Sequence, residues 1–365
     1  MARDMKTDKP VYIIAEAGVN HNGDLTRASA MIDAAAEAGA DAVKFQTFTA
    51  AALTSAAAPK APYQKDTTGT AESQRDMLRG LELSRNDHFE LQALCLKREI
   101  EFLSTPFDRE SLDFLIQDMK LTTLKIGSGD ITNGPLLLQA ARTGCSVILS
   151  TGMSDLEDVS AALGVLVFGY LKQNTKPSHA TFSTALQSAE GRTLLKDNVT
   201  ILHCTSAYPA PADEVNLRSM DTLREAFSVD VGLSDHTTGN AISLAAVARG
   251  ACIIEKHFTL DRSLPGPDHH ASLEPAELAA LVRDIRIVET ALGDGAKQPA
   301  ASEIENIAAA RKSLVAQNAI QRRDVFNENN LGVKRPGTGI SPMDYWDQLG
   351  QPSNQNYDPD DLIKS

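Results

Sequence analysis

Eight short apolar runs punctuate the first 260 residues, and each ends in a side chain able to hold a phosphate, a metal or a proton. They are Tyr12–Glu16, Ala42–Gln46, Glu101–Thr105, Thr123–Ser128, Ser146–Thr151, Thr200–Ser206, Asp230–His236 and Cys252–His257. Alanine-rich amphipathic stretches of helical length separate most of them. Eight strands alternating with helices is the order of a closed parallel barrel, whose chemistry gathers at the carboxyl ends of its strands. The fold expected is therefore α/β: a (β/α)8 TIM barrel, followed by a small, mainly β C-terminal domain. In that barrel Glu16, Lys44, Gln46, Thr105, Lys125, Ser128, Ser150, Ser206, Ser234, His236 and His257 surround one mouth.

The helices read most clearly over Leu25–Ala38, Arg109–Met119 and Pro275–Leu292, the last closed by Gly293. Ala161–Leu171 is the most apolar stretch, too short to span a membrane, and reads as a buried barrel helix. Ala50–Ser84 is a long loop above the second strand, where substrate-covering segments sit. Lys172–Asn198 reads as a peripheral insertion. The expected domains are a barrel over 1–284, a linker with a helix over 285–310, and a small β module over 311–365. Within that module Ser313–Ala316, Val325–Phe326 and Leu331–Lys334 are short extended runs, with little core of their own.

A net charge of −13 and a pI near 5.1 argue against nucleic acid or an anionic membrane as partner. Any anionic substrate must be drawn by local cations. Cys95, Cys145, Cys204 and Cys252 show no C-x-x-C spacing and read as reduced residues of a cytoplasmic protein. The opening MARDMKTDKP lacks the apolar region of a signal peptide.

His236 and His257 end the seventh and eighth runs, in GLSDH and IIEKH. Strand alternation sets Ser234 with His236, and Glu255 with His257. Two imidazoles on neighbouring strands suit a divalent metal with most positions open, although a bare histidine pair more often merely finishes two strands. Lys44, Thr105, Lys125, Ser128, Ser150 and Ser234 suggest an anion cradle, with Gly127–Gly129 and Thr151–Gly152 supplying close backbone turns. Glu16 is a candidate general acid or base; the bland alternative has it satisfying loop amides while Asn22 and Asp24 cap the first helix. His21 stays undecided, His203 reads as a core residue, and His88 and His179 as surface residues. Asp268, His269 and His270, in PGPDHHASLEP, fit substrate contact and an ordered connection equally.

These motifs together resemble the sialic acid synthase family. The resemblance rests on AEAGVNHNGD, DAVKFQTF, FLSTPFD, LKIGSGDITNGPLL, ILSTGM, LHCTSAYPAP, GLSDHTTG, IIEKHFTLDRSLPGPDHHASLEP and VKRPGTGISP, which cover nearly the whole chain. It implies an enzyme that condenses phosphoenolpyruvate with an open-chain, N-acylated mannose-type sugar, and a closing module like the family's antifreeze-like (SAF) domain. By the same resemblance His236 and His257 bind Mn2+, with Mg2+ or Co2+ as substitutes, and no organic cofactor is needed. Lys44, Thr105, Lys125, Ser128, Ser150 and Ser234 would hold phosphoenolpyruvate. Glu16 would be catalytic, while Gln46, Asp130, Ser206 and Tyr208 line the sugar pocket. Arg335 would reach the sugar from the other protomer of a domain-swapped homodimer. Three positions depart from many relatives: Asp130 stands for Glu, Ser206 for Asn, and Arg323 for Gly in a turn. The product expected first is N-acetylneuraminate from N-acetylmannosamine. The alternative is N,N'-diacetyllegionaminate from 2,4-diacetamido-2,4,6-trideoxymannose. A non-catalytic carbohydrate-binding protein is the reading from another class.

Overall fold

The computed structural model describes residues 9–69 and 71–364. The amino terminus, read as lacking a signal peptide, falls mostly outside them. The described chain divides into two compact units, Met1–Asp294 and Gly295–Ser365.

The first unit is the barrel. Its strands are β1 (Tyr12–Gly18), β2 (Ala42–Thr47), β3 (Glu101–Pro106), β4 (Thr123–Ile126), β5 (Ser146–Ser150), β6 (Val199–Cys204), β7 (Asp230–Asp235) and β8 (Ile253–His257). All eight expected runs form strands, with ends differing by one or two residues. The sheet order is β3-β2-β1-β8-β7-β6-β5-β4, every ladder is parallel, and β3 meets β4 at the seam. Helices follow the strands, among them Leu25–Glu37, Gly134–Thr143, Leu156–Tyr170 and Pro275–Leu292.

Strand alternation explains the barrel interior. Ile14, Ala42, Leu103, Ile148, Leu202 and Ile253 form an apolar floor. Two residues further along the same strands, on the same face, come Glu16, Lys44, Thr105, Ser150, Cys204 and Glu255. The outward positions, such as Ile13, Val43, Phe102, Leu149, Ile201 and Ile254, join the main core with the helices. One set of strands thus carries an oily base and a polar rim.

Several expectations change. The barrel unit ends at Asp294 rather than 284, because Pro275–Leu292 is one continuous helix opened by Pro275 and ended at Gly293. The stretch Arg109–Met119 is α-helical over Arg109–Asp113 and then widens into a π-helical turn over Phe114–Asp118. Ala50–Ser84 is not plain loop but holds short helices at Ala50–Leu53, Pro62–Thr68 and Gln74–Arg79. Lys172–Asn198 contains two helices, His179–Gln187 and Ala189–Asn198, beside the buried Leu156–Tyr170 helix. His88 is not a surface residue: it is buried, bonded to Thr47 Oγ1 at 2.9 Å and Ser84 O at 2.9 Å, and packed on Phe102 and Phe114.

The second unit has an antiparallel pair, β9 (Ser313–Ala316) and β10 (Leu331–Lys334). It does have its own core: Leu314, Ala316, Ile320, Phe326, Leu331, Tyr357 and Ile363. Val325 makes only an isolated bridge, to Pro352. Arg323 has φ +75°, so the turn keeps a left-handed backbone although a side chain replaces the usual glycine.

Between the rim and the outer helices lies a buried ion pair that the sequence reading passed over. Lys256 Nζ is 2.8 Å from Asp235 Oδ2, and both side chains are fully enclosed. Asp235 also accepts from Thr237 N at 2.8 Å, Thr237 Oγ1 at 2.7 Å and Ser243 Oγ at 2.5 Å, while Lys256 donates to Thr237 O at 2.6 Å. Each partner immediately precedes a rim histidine, so the pair clamps β7 to β8 where those imidazoles emerge. Lys256→Met should destabilise the barrel by about 3–5 kcal/mol, because it strands a buried carboxylate. Urea unfolding checks this, and a loss below about 1 kcal/mol would remove the clamp from the account.

Candidate active site

A cavity of about 670 Å3 opens at the carboxyl ends of the strands. Twelve of the expected residues line it: Glu16, Lys44, Gln46, Thr105, Lys125, Ser128, Ser150, Ser206, Tyr208, Ser234, His236 and His257. A larger groove, of about 980 Å3, lies between outer helices among Leu137, Phe182 and Phe227, and carries none of these groups.

The cavity floor is a quartet of buried charges. Lys44 Nζ lies 2.6 Å from Glu16 Oε2 and 3.6 Å from Glu255 Oε2, and it donates to Thr105 Oγ1 at 3.2 Å. Lys125 Nζ is 3.4 Å from Glu255 Oε1, which also accepts from Ser234 Oγ at 2.7 Å. Burial would raise Glu255, but the ammonium groups of Lys125 and Lys44 hold it down to about 2. Burial raises Glu16 to about 7, with Lys44 pulling against it and Glu255 pushing with it. Burial lowers Lys125, only partly offset by Glu255. Ser150 Oγ is buried with no hydrogen-bond partner, as an anion cradle requires of some of its donors.

Beside the floor stand the two imidazoles, ring centroids 5.4 Å apart. His236 Nδ1 donates to Thr205 O at 2.7 Å, which leaves Nε2 with its lone pair directed elsewhere, 3.5 Å from Ser234 Oγ. Burial, with His236 and Lys44 nearby, keeps His257 neutral, well below its ordinary value, and its Nδ1 has no hydrogen-bond partner. His257 offers an unpartnered Nδ1, and His236, which burial would lower but the Cys204 thiol and the Thr205 carbonyl raise, offers Nε2 once deprotonated; the pair fits a divalent cation that competes with a proton. Among the described residues no group of three or more His, Cys, Asp or Glu side chains is placed to hold one ion. A cation here would therefore keep most of its positions for water and substrate. Tyr208 stacks 4.2 Å from His236 and meets His257 edge-on at 5.7 Å.

Backbone geometry brings the rim close. The β1–β2 register slips between Glu16 and Gly18, and Gly18 takes φ +54°. A Cβ there would lie 3.2 Å from Glu16 Oε1 and 3.4 Å from both Gln46 Nε2 and His257 Cε1. Gln46 Nε2 in turn donates to Glu16 Oε1 at 3.4 Å. Across the mouth, Gly152 N donates to Ser128 Oγ at 2.9 Å.

One expected residue of the barrel is not brought in. Asp130 sits in the Ser128–Asp130 turn, accepts from Asn133 Nδ2 at 2.9 Å, and is not part of the lining. Arg335 belongs to the second unit, where its Nε donates to Ala310 O at 3.1 Å. The bland reading of Glu16 fails, since it faces Lys44 while Asp24 alone caps the first helix. His21 is buried and neutral, lowered to about 4 by burial, with Nδ1 accepting from Gly23 N. His203 bonds the Val215 carbonyl. In PGPDHH the two readings divide by residue. Asp268 lines the cavity, raised to about 6 by burial. His269 is a strut between Thr259 Oγ1, at 2.7 Å, and Asn22 Oδ1, at 3.2 Å.

Glu255 is a rim group without an assigned role in the sequence, and Asp268 one whose two readings the sequence leaves level. Glu255 was within reach, because period-two counting back from His257 points it inward. Asp268 lies in an irregular turn with no periodicity to read.

A Cβ on Gly152 would fall 2.3 Å from Ser206 Oγ and 2.9 Å from Ser128 Oγ. Gly152→Ala should therefore lower turnover at least tenfold with far-UV circular dichroism unchanged; full activity would show that these serines have room to retreat.

The sequence profile of the NeuB family matches residues 31–297. The chain is 49% identical over 356 residues to the N,N'-diacetyllegionaminic acid synthase of Campylobacter jejuni, covering 98% of this chain and 99% of that protein. It is 44% identical over 345 residues to the N,N'-diacetyllegionaminic acid synthase of Legionella pneumophila, covering 94% and 91%. A crystal structure of N-acetylneuraminic acid synthetase from Leptospira borgpetersenii, in complex with citrate, superposes with a TM-score of 0.65 at 36% identity, covering 82% of this chain and 91% of that one.

Proposed function

Because this chain belongs to the NeuB family of sialic acid synthases, we propose that it condenses phosphoenolpyruvate with open-chain 2,4-diacetamido-2,4,6-trideoxymannose to give N,N'-diacetyllegionaminate and phosphate. The observation that carries the chemistry is one cavity in which a Lys44–Lys125 floor lies beside two adjoining imidazoles. The sugar differs from the N-acetylmannosamine first expected. Two relatives at 49% and 44% identity, both named for legionaminic acid, favour the alternative. Asp130 in place of a longer Glu, and Ser206 in place of Asn, are departures on the sugar side. The non-catalytic reading falls away with family membership and the intact cradle.

In this reading Lys44 and Lys125 neutralise the phosphate and carboxylate of phosphoenolpyruvate, while Thr105, Ser128, Ser150 and Ser234 donate hydrogen bonds to them. Burial makes each of these contacts worth more than it would be in water. His236 and His257 would hold a divalent cation, Mn2+ first and Mg2+ or Co2+ as substitutes. When bound, it supplies Lewis-acid polarisation of the sugar aldehyde. The methylene carbon of phosphoenolpyruvate forms a bond to that aldehyde carbon, whose oxygen takes a proton and becomes a hydroxyl. Water adds to the neighbouring carbon, and Glu16, raised towards neutrality by burial, is suited to orient it and accept its proton. Collapse of the resulting adduct breaks the carbon–oxygen bond to phosphate and leaves the 2-keto acid. Gln46 steadies Glu16, Tyr208 packs on the imidazoles, and Ser206 faces the sugar.

The second unit would act as an antifreeze-like domain of a partner copy, bringing Arg335 to the N-acyl group in a domain-swapped homodimer. Among the described residues no helix is long and apolar enough to cross a membrane.

His236→Ala should cut phosphate release by about 100-fold or more and weaken Mn2+ binding seen by electron paramagnetic resonance. Full turnover after exhaustive chelation would discard the cation. Arg335→Ala should raise the KM for the sugar about tenfold, as expected for a lost charged hydrogen bond, and leave that for phosphoenolpyruvate unchanged. Equal effects on both would remove Arg335 from the sugar site.

A further inference from the structure

The cavity is chemically divided. Its floor is charged, as described, but the segment after β2 lends it a different lining. Leu53, Leu78 and Leu81 come from that segment, Val19 follows β1, and Phe107 follows β3. These five belong to one hydrophobic cluster, with Phe48, Ala50 and Met77, that is separate from the barrel core. Thr54, Gln64 and Gln74 of the same segment also line the cavity, and hydrogen bonds tie them to the segment. Gln64 Oε1 accepts from Ala61 N at 2.9 Å and from Gln74 Nε2 at 3.0 Å, and Thr54 Oγ1 donates to Ala50 O at 3.1 Å. Leu53, Leu78 and Leu81 thus form an apolar patch of the lining, beside polar groups that are already engaged within the segment.

On the proposed reading, phosphoenolpyruvate occupies the lysine floor and the sugar's aldehyde carbon lies at the histidines. The far end of the sugar chain then extends beyond the strand ends, towards the covering segment. We infer that the wall of Val19, Leu53, Leu78, Leu81 and Phe107 receives position 6 of the sugar and selects a methyl group there over a hydroxymethyl group. A methyl group buried on this wall gains the ordinary hydrophobic contribution. A hydroxyl pressed on these five side chains gives up water and gains no hydrogen bond from them, and that difference is the basis of selection. Nothing in the charged floor can make this distinction, because the atoms held there are the same for either sugar. The inference rests on the assignment of a 2,4-diacetamido sugar and adds which residues read one end of it.

The test compares 2,4-diacetamido-2,4,6-trideoxymannose with its 6-hydroxy counterpart, identical elsewhere, in phosphate release from saturating phosphoenolpyruvate with Mn2+. The full-length protein should prefer the 6-deoxy sugar by about 10- to 100-fold in kcat/KM. Leu81→Asn should shrink that ratio at least fivefold, mainly through the KM for the sugar, with the KM for phosphoenolpyruvate unchanged. Leu81 is buried, so the half-buried Leu53→Gln serves as a second variant with the same expectation. Equal kcat/KM for the two sugars in the wild type overturns the wall's role and leaves the sugar assignment standing. So do variants that slow both sugars by the same factor. Turnover of N-acetylmannosamine in preference to both overturns the sugar assignment and this inference together.

Discussion

Four ionisable side chains, Glu16, Lys44, Lys125 and Glu255, are buried side by side at the end of a barrel, and the remaining features of the mouth are arranged around them. Charges withdrawn from water are tolerated only when paired. Here two carboxylates offset two ammonium groups, so the cradle can be folded before any substrate arrives. The balance is not even. Glu255 is held firmly ionised between both lysines, while Glu16 is raised close to neutrality. One carboxylate thus anchors the cations and the other is left suited to proton transfer. The two acids differ in surroundings: Glu255 lies beside both lysines and accepts from Ser234, whereas Glu16 lies beside Lys44.

The precision of the pocket comes from behind it. Asp235 and Lys256 point outward from β7 and β8, one residue before each rim histidine, and their enclosed contact prevents the two strands from sliding. Such a slip would turn each strand's inward set outward. On the neighbouring strand the slip in register after Glu16 lets Gly18 turn without a side chain, so that Glu16, Gln46 and His257 can meet. Rigid strands carry the reacting groups, whereas the covering wall comes from short helices between β2 and β3. A scaffold of this kind separates chemistry, held by ladders, from substrate choice, held by a segment freer to vary.

Much of this was legible in the chain. Eight apolar runs ending in polar groups specified the barrel, and counting in twos specified which side chains face inward. Lys44, Thr105, Ser150, Ser234, His236 and His257 were found this way and are brought together as expected. Less regular positions escaped. Asp130, a sugar-pocket residue by the resemblance alone, is held out of the lining by a tight turn and a bond from Asn133. Asp268 enters from a turn whose path depends on the His269 strut to Asn22, a contact between residues 247 apart. His88 looked like a surface residue in a polar helix, yet it is enclosed between Phe102, Phe114 and Thr47. The barrel unit runs to Asp294 because the helix Pro275–Leu292, legible from Pro275 and Gly293, packs with it as a whole.

By itself the sequence determined the barrel, the direction its polar groups face and the pairing of histidines with a cluster of lysines and hydroxyls. These follow from a local repeat of two along each strand, which needs no knowledge of distant contacts. Only the tertiary structure decided that Glu255 anchors both lysines, that Glu16 and Glu255 ionise differently, and that an apolar wall leans over the charged floor. Those properties arise from burial and from neighbours on other strands, and a linear chain carries neither until it has closed on itself.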